Sequence, residues 1–222
     1  MKKLVSLVLA VILAFSVMSL VSCGNKEDTV EKLSLGIGVV TEQKGSDATE
    51  EKNGSAQADV TMAAVLVDKD GKIVAVKIDV AQNKVAFTAD GKAVKNDSFK
   101  TKLELGNDYG MSAIGKQEWF VQTEALEGVL VGKTLTEVTA LVADGGKGVE
   151  AVQTAGCTIT VSDMIEAVAK AIKSAKPSEA TAKDTLKLTA VTSQSVGDAT
   201  ADKSFNVTVK KLNLQSLADS LK

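Results

Sequence analysis

The sequence predicts an α+β fold, an antiparallel β-sheet of hairpins packed against two or three helices. Three observations lead there. Residues 56–67 and 72–80 are β-rich runs separated by Asp68-Lys69-Asp70-Gly71, and Asp-Gly supplies the positive φ that a tight hairpin turn needs. Residues 116–131 instead carry Trp119, Thr123, Leu126 and Leu130, with Phe120 beside them, which is helical spacing. A second stretch of that kind follows Ser162, with Ile165, Val168, Ala169 and Ile172 on one side.

In chain order, residues 1–22 read as an export signal. Lys2 and Lys3 give a positive start, residues 4–21 are apolar except for Ser6, Ser16 and Ser19, and small residues lead up to Cys23. Residues 23–31 are polar and charged, a flexible tether. Residues 32–40 have strand character interrupted by Gly36 and Gly38. Residues 42–53, charged and containing Gly and Ser, read as a loop or irregular crossover. In the hairpin, Val60, Met62, Ala64 and Leu66 share a face of the first strand. In the return strand Ile73, Ala75 and Lys77 share one face, and Val74, Val76 and Ile78 share the other and better core face. Residues 84–88 are a third short strand, with Asp90-Gly91 a turn after it.

Residues 96–110 are polar and mixed. Gly132 suits the stop of the 116–131 helix. Residues 134–142 form either a short helix or a strand, and 144–148 a Gly-rich loop. Residues 156–160 are small and β-branched around Cys157, after which Ser162 or Asp163 caps the last clear helix. Pro177, the only proline, ends it. Residues 186–191 and 204–209 read as two more strands, and 212–221 as a short amphipathic helix. Gly45-Ser46-Asp47-Ala48-Thr49 has an echo in Val196-Gly197-Asp198-Ala199-Thr200, either a partial repeat or a coincidence of an Ala/Thr/Val-rich chain. The organisation is thus one α+β domain over 32–176, with a hairpin and short helix over 177–222 packed on the same domain.

The chain has 222 residues, and removal of 1–22 leaves enough for one fairly large domain or two small ones. Lys2 and Lys3 leave with the signal, so 24 Lys+Arg remain against 28 Asp+Glu, a formal net of −4. That balance does not suit nucleic acid as a partner. No second apolar run approaches the ~20 residues that span a bilayer. There is no His, which removes the commonest general base and metal ligand, and one Cys beside Cys23 leaves no zinc site of the usual kind and no disulfide.

No catalytic constellation emerges from the residues alone: Ser and Thr are plentiful, but no His or evident Lys dyad activates one. Asp68 and Asp70 beside Gly71 suit a β-turn, and lack the closing Glu of a calcium loop. Asn107-Asp108-Tyr109-Gly110-Met111 either lines a pocket or closes the core with its Tyr and Met.

Two resemblances add to this. Leu20-Val21-Ser22-Cys23-Gly24 resembles the bacterial lipoprotein pattern, which implies cleavage before Cys23, a lipid on its thiol and a place on the extracytoplasmic face of the cell membrane. A plain signal peptide or an anchor helix are the other readings of residues 1–22. Gly156-Cys157-Thr158-Ile159-Thr160, followed by the helix containing Ile165 to Ile172, resembles the end of the bacterial FMN-binding domain family. The order of elements over roughly 56–175 is also similar to that of exported flavin lipoproteins. In that family a Ser/Thr-Gly-Ala-Thr segment presents a Thr that carries FMN through a phosphoester. The resemblance places Thr158 as acceptor, with Gly156 and Cys157 matching the Gly and Ala. Ala155 stands where Ser or Thr is usual, and Val152 where the attachment motif has Asp. On this reading Gly156 lets backbone approach a phosphate, the following helix offers its N-terminus, Thr158 and Thr160 add hydroxyls, and Tyr109, Met111 or Trp119 pack on the isoalloxazine. The chain is then a membrane-anchored electron carrier with redox partner proteins. The alternative is a non-redox ligand- or protein-binding lipoprotein on the same scaffold; without a catalytic dyad, a hydrolase or transferase finds no support.

Overall fold

The structure, a computed structural model, describes residues 31–94 and 100–191. The export signal, Cys23, most of the tether, the second copy of the Asp-Ala-Thr echo, the strand expected at 204–209 and the helix expected at 212–221 lie outside the described residues.

The fold is α+β. Three long strands, β1 (Lys32–Ser46), β2 (Gly54–Val67) and β3 (Ile73–Phe87), form an antiparallel meander. β4 (Ala93–Val94) adds to the far side of β3 and β5 (Lys176–Thr181) to the far side of β1, giving the order β4-β3-β2-β1-β5. The Asp68 turn closes the β2–β3 hairpin: Asp68 Oδ1 accepts from the amides of Asp70 (2.9 Å) and Lys72 (2.8 Å), and Gly71 takes a φ of 74°. These residues make a turn, as the sequence suggests.

The helices are α1 (Lys102–Leu105), α2 (Trp119–Leu130), α3 (Leu135–Thr139), α4 (Glu150–Thr154) and α5 (Ser162–Ser174). α5 lies against β1 and β2, and two glycines make this approach possible. A Cβ on Gly36 would collide with the Ala171 carbonyl oxygen, and one on Gly38 with that of Ala167. Across the register, Gly36 pairs with Val65 and Gly38 with Ala63, which in turn pair with Val76 and Ile78. That face meets Leu126 and Leu130 of α2, Val138 of α3, Val152 of α4 and Val168 of α5 in one core cluster. α2 stops before Gly132, whose φ is 81°. Gly132 then donates to the Ile73 carbonyl (2.7 Å), and the Ile73 amide to the Lys133 carbonyl (3.0 Å), so the end of α2 is fastened to the start of β3.

Several expectations are corrected. Residues 42–46 belong to β1 rather than to a loop, paired with 55–59; their charges stay on the ribbon's wet surface, where Lys44 reaches Glu42 (2.7 Å) and Asp59 (3.3 Å). The separate strand at 84–88 is the continuation of β3. Ile73 joins the core face with Val76 because the register shifts beside Val67, and such a bulge moves a side chain across the sheet. Of residues 134–142, Leu135–Thr139 form a helix, with Thr134 and Glu137 in a reciprocal capping box, and Val142 then bridges to Gly148. α5 is capped by neither Ser162 nor Asp163: its N-cap is Val161, with no side-chain bond, and the Val161 amide donates to the Gly146 carbonyl instead (2.8 Å). Pro177 does not end α5, which stops at Ser174; it pairs with Ser34 inside β5, where an edge strand tolerates its missing N–H. Residues 186–191 form no strand.

Candidate functional site

The loop between α4 and α5 carries the sequence-selected residues Gly156, Cys157, Thr158 and Thr160. α4 ends at Thr154, and Gly156 turns the chain with φ 113°. Cys157 is fully buried, and its amide donates to the Val152 carbonyl (3.1 Å). Burial pushes its thiol pKa up, against a weaker pull from the Ile159 amide and Lys147, so it stays a neutral core thiol rather than a nucleophile.

Thr158 is exposed, but its polar groups are not idle. Its amide (2.9 Å) and hydroxyl (3.0 Å) both donate to Gln122 Oε1 on α2. Gln122 is 1% exposed, and its Nε2 donates to the Gln117 carbonyl (2.8 Å), which fixes which end of the amide faces Thr158. The Gln117 side chain lies near Gly156, 3.7 Å from where a Cβ would sit. On the other side, Lys147 Nζ donates to the Thr158 carbonyl (2.8 Å), and Lys147 and Thr160 bridge as an isolated antiparallel pair. Thr160 faces the 144–146 turn, its methyl 3.1 Å from where a Gly146 Cβ would be.

Trp119 begins α2 one helical turn before Gln122. It is 4% exposed, part of the core. Lys102 of α1 lies over the rings of Tyr109 (4.9 Å) and Trp119 (5.5 Å), a cation–π contact with both. Tyr109 and Met111 are half-buried and pack against the core cluster. Their loop is held by Glu118, whose carboxylate accepts from the amides of Met111 (3.1 Å) and Ser112 (2.9 Å). The Ser112 amide and hydroxyl, then the Met111 amide, hold that carboxyl below its ordinary value. The structure therefore gathers Gly156, Thr158, Gln122 and Gln117 at one place, and Tyr109, Trp119 and Lys102 at the start of the same helix. Thr160 looks toward the Gly146 turn, and Cys157 into the core. Cys23 lies outside the described residues.

The arrangement offers an exposed threonine whose hydroxyl is held by a buried amide oxygen, beside a glycine turn and four residues before the positive end of the 13-residue α5. Among the described residues no cluster of three His, Cys, Asp or Glu is placed to hold a metal. Gln122 and Gln117 were not visible as site residues from sequence, although a glutamine in line with Trp119 and Leu126 on a buried helix face is a signal in itself. α1 was also missed; Thr101-Lys102-Leu103-Glu104 is its capping box, with Thr101 and Glu104 bonding reciprocally.

Comparison with protein-family models finds no match, and no solved structure matches the chain. Among curated proteins, a chlorophenol reductase of Desulfitobacterium hafniense is 30% identical over 124 residues. The similarity covers 49% of this chain, which spans only 37% of that relative's length.

Proposed function

We propose that the chain is an extracytoplasmic lipoprotein, anchored in the cell membrane by a lipid on Cys23, that binds FMN and carries electrons. The observation behind the flavin reading is the Thr158 loop. The hydroxyl of the exposed Thr158 donates to Gln122, two residues after the positive-φ Gly156 and four before α5. The residue types suit a phosphate: Gly156 brings no side chain of its own, Thr158 would supply an attachment oxygen, and α5 begins four residues further along the chain. Tyr109 offers a half-buried ring at the near end of α2, with Lys102 over it. The flavin, when bound, supplies the redox chemistry; the protein's part is to hold the phosphate end and set exposure. Similarity of part of the chain to a protein named a reductase is consistent with a redox setting.

Intact mass of the native, membrane-extracted protein tests lipid and flavin together. The expected result is a lipid increment at Cys23 and one FMN increment that disappears in Thr158→Ala, with flavin absorption in the purified protein. Colourless protein of unshifted mass, which also leaves the fluorescence of added FMN unquenched, rejects the flavin.

A second reading, a non-redox binding lipoprotein, has one specific observation in its favour. The Thr158 hydroxyl already has its acceptor, and Trp119 is 4% exposed, so the loop is complete as a structural joint between α2 and α5. That protein would stay colourless in the same experiment and still carry the lipid.

A further inference from the structure

The outer edge of β1 is open beyond the point where β5 stops. β5 pairs with Lys32, Ser34 and Leu35. Further along, α5 takes the outward backbone groups of alternate residues. The Ile37 amide donates to Ser174 Oγ (3.1 Å), which donates to the Ile37 carbonyl (2.7 Å), and Lys170 Nζ donates to the Val39 carbonyl (3.3 Å). The register of β1 with β2 runs unbroken from Ser34 to Ser46. The same alternation therefore turns the amides and carbonyls of Thr41, Gln43 and Gly45 outward. Among the described residues none bonds these groups, and residues 41–46 are all exposed. An open row of this kind can receive another strand.

We propose that the strand it receives is β1 of a second copy, antiparallel about a twofold axis at Gln43. An edge strand ordinarily carries a charge that repels another edge. β1 instead carries one of each sign, Glu42 and Lys44, two residues apart on one face. Pairing about Gln43 sets that residue opposite its own symmetry mate, and Thr41 opposite the partner's Gly45, as hydrogen-bonded pairs. Glu42 then falls opposite the partner's Lys44, and Lys44 opposite the partner's Glu42, in the pairs whose side chains come closest. Other registers lose this match. An axis at Glu42 or at Lys44 would set like charges against each other, and one at Thr41 or Gly45 would leave neither ion pair. Within the chain Lys44 reaches Glu42 at 2.7 Å, but their side chains are 51% and 50% exposed, so both can turn to the partner. α5 closes the edge at Ile37 and Val39, which confines the contact to residues 41–45 and makes the dimer a weak one. The pairing needs neither the flavin nor the lipid.

Thiol cross-linking and light scattering on the full, detergent-extracted chain test it. Cys157 is buried, and the unmutated chain serves as the blank for Cys23. Gln43→Cys should give a disulfide-linked dimer under mild oxidation, since opposed residues of such a pair lie ~5.5 Å apart at Cα. Thr41→Cys should not, being ~14 Å from its own symmetry mate in this register. Glu42→Lys and Lys44→Glu should each weaken the dimer about tenfold, because each sets like charges opposite one another twice. An equimolar mixture of the two variants should recover it, as each chain then meets the opposite charge. A chain that stays monomeric up to ~1 mM overturns the proposal. So does a Thr41→Cys chain that links as fast as Gln43→Cys, or a dimer that ignores both charge reversals.

Discussion

Gln122 Oε1 accepts both hydrogens that Thr158 has to offer, from the amide at 2.9 Å and from the hydroxyl at 3.0 Å. One buried amide thereby ties the loop before α5 to the start of α2. Gln122→Leu keeps the bulk, removes the acceptor and leaves the Gln117 carbonyl without its donor. A net loss of about 1–2 kcal/mol is expected in urea unfolding, because solvent reaches the exposed Thr158 and satisfies part of what is lost. Thr158→Val retains the amide bond to Gln122 and should cost less than ~1 kcal/mol. On the flavin reading it removes the FMN increment altogether, so stability and mass separate the loop's structural part from its chemical one.

Glu127 does similar work between α2 and β3. Its Oε1 accepts from the Ile78 amide (2.9 Å) of β3, and its Oε2 meets Lys77 Nζ at 2.5 Å. The glutamate side chain is 9% exposed and the lysine 44%, so water screens the charge on one partner only. Glu127→Gln keeps an acceptor for Ile78 and should cost about 1 kcal/mol. Glu127→Ala leaves a buried amide unpaired and should cost roughly 2–4 kcal/mol. Equal losses in the two variants, measured as unfolding free energies, would show that the Ile78 bond contributes nothing.

The hairpin was legible because Asp68-Lys69-Asp70-Gly71 stands between two β-rich runs, and α5 because Ile165, Val168 and Ile172 repeat at helical spacing. Which face of β2 meets the helices was not. Met62, Ala64 and Leu66 on one side are as apolar as Ala63, Val65 and Val67 on the other, and alternation selects a face only when one is polar. The deciding information lay in β1, where Gly36 and Gly38 mark the side on which another backbone comes close. The register shift that turns Ile73 inward has no such local mark. At the candidate site, resemblance picked out Thr158, yet its partner Gln122 is 36 residues away and no spacing rule joins them.

Those two glycines make a sharp test of the packing. A methyl group at Gly38 would meet the Ala167 carbonyl oxygen, and backbone cannot step aside as a flexible side chain does. Gly38→Ala should therefore cost about 3 kcal/mol or more. Gly128, on α2, has open space where its Cβ would be. Gly128→Ala should stabilise by up to ~1 kcal/mol, since alanine is the better helix former. Thermal unfolding of the two variants side by side is expected to move in opposite directions, and a tolerated Gly38→Ala would contradict the close contact of α5 with β1.

Acid should act on the fold through two carboxylates with opposite signs. Glu118 is held below its ordinary value of 4.5 by the Ser112 amide and hydroxyl and the Met111 amide. Its contribution is therefore complete above the unfolded-state value and is lost as pH falls toward the folded one. Asp79 is raised above its ordinary 3.8, chiefly because burial disfavours the charge, although Thr101, Leu103 and Val80 donate to it. The folded state takes up that proton more readily than the unfolded state, so acidification favours folding at this residue. Asp79→Asn keeps an oxygen for the Leu103 and Val80 amides and carries no buried charge. It is expected to be at least as stable as the unmutated protein at pH 7, and to lose more stability between pH 7 and pH 4. Glu118→Gln should be less stable at pH 7 and lose less over the same range. Urea midpoints measured across that range check both signs at once, because a shared acid-induced loss from other carboxylates would move the two variants together.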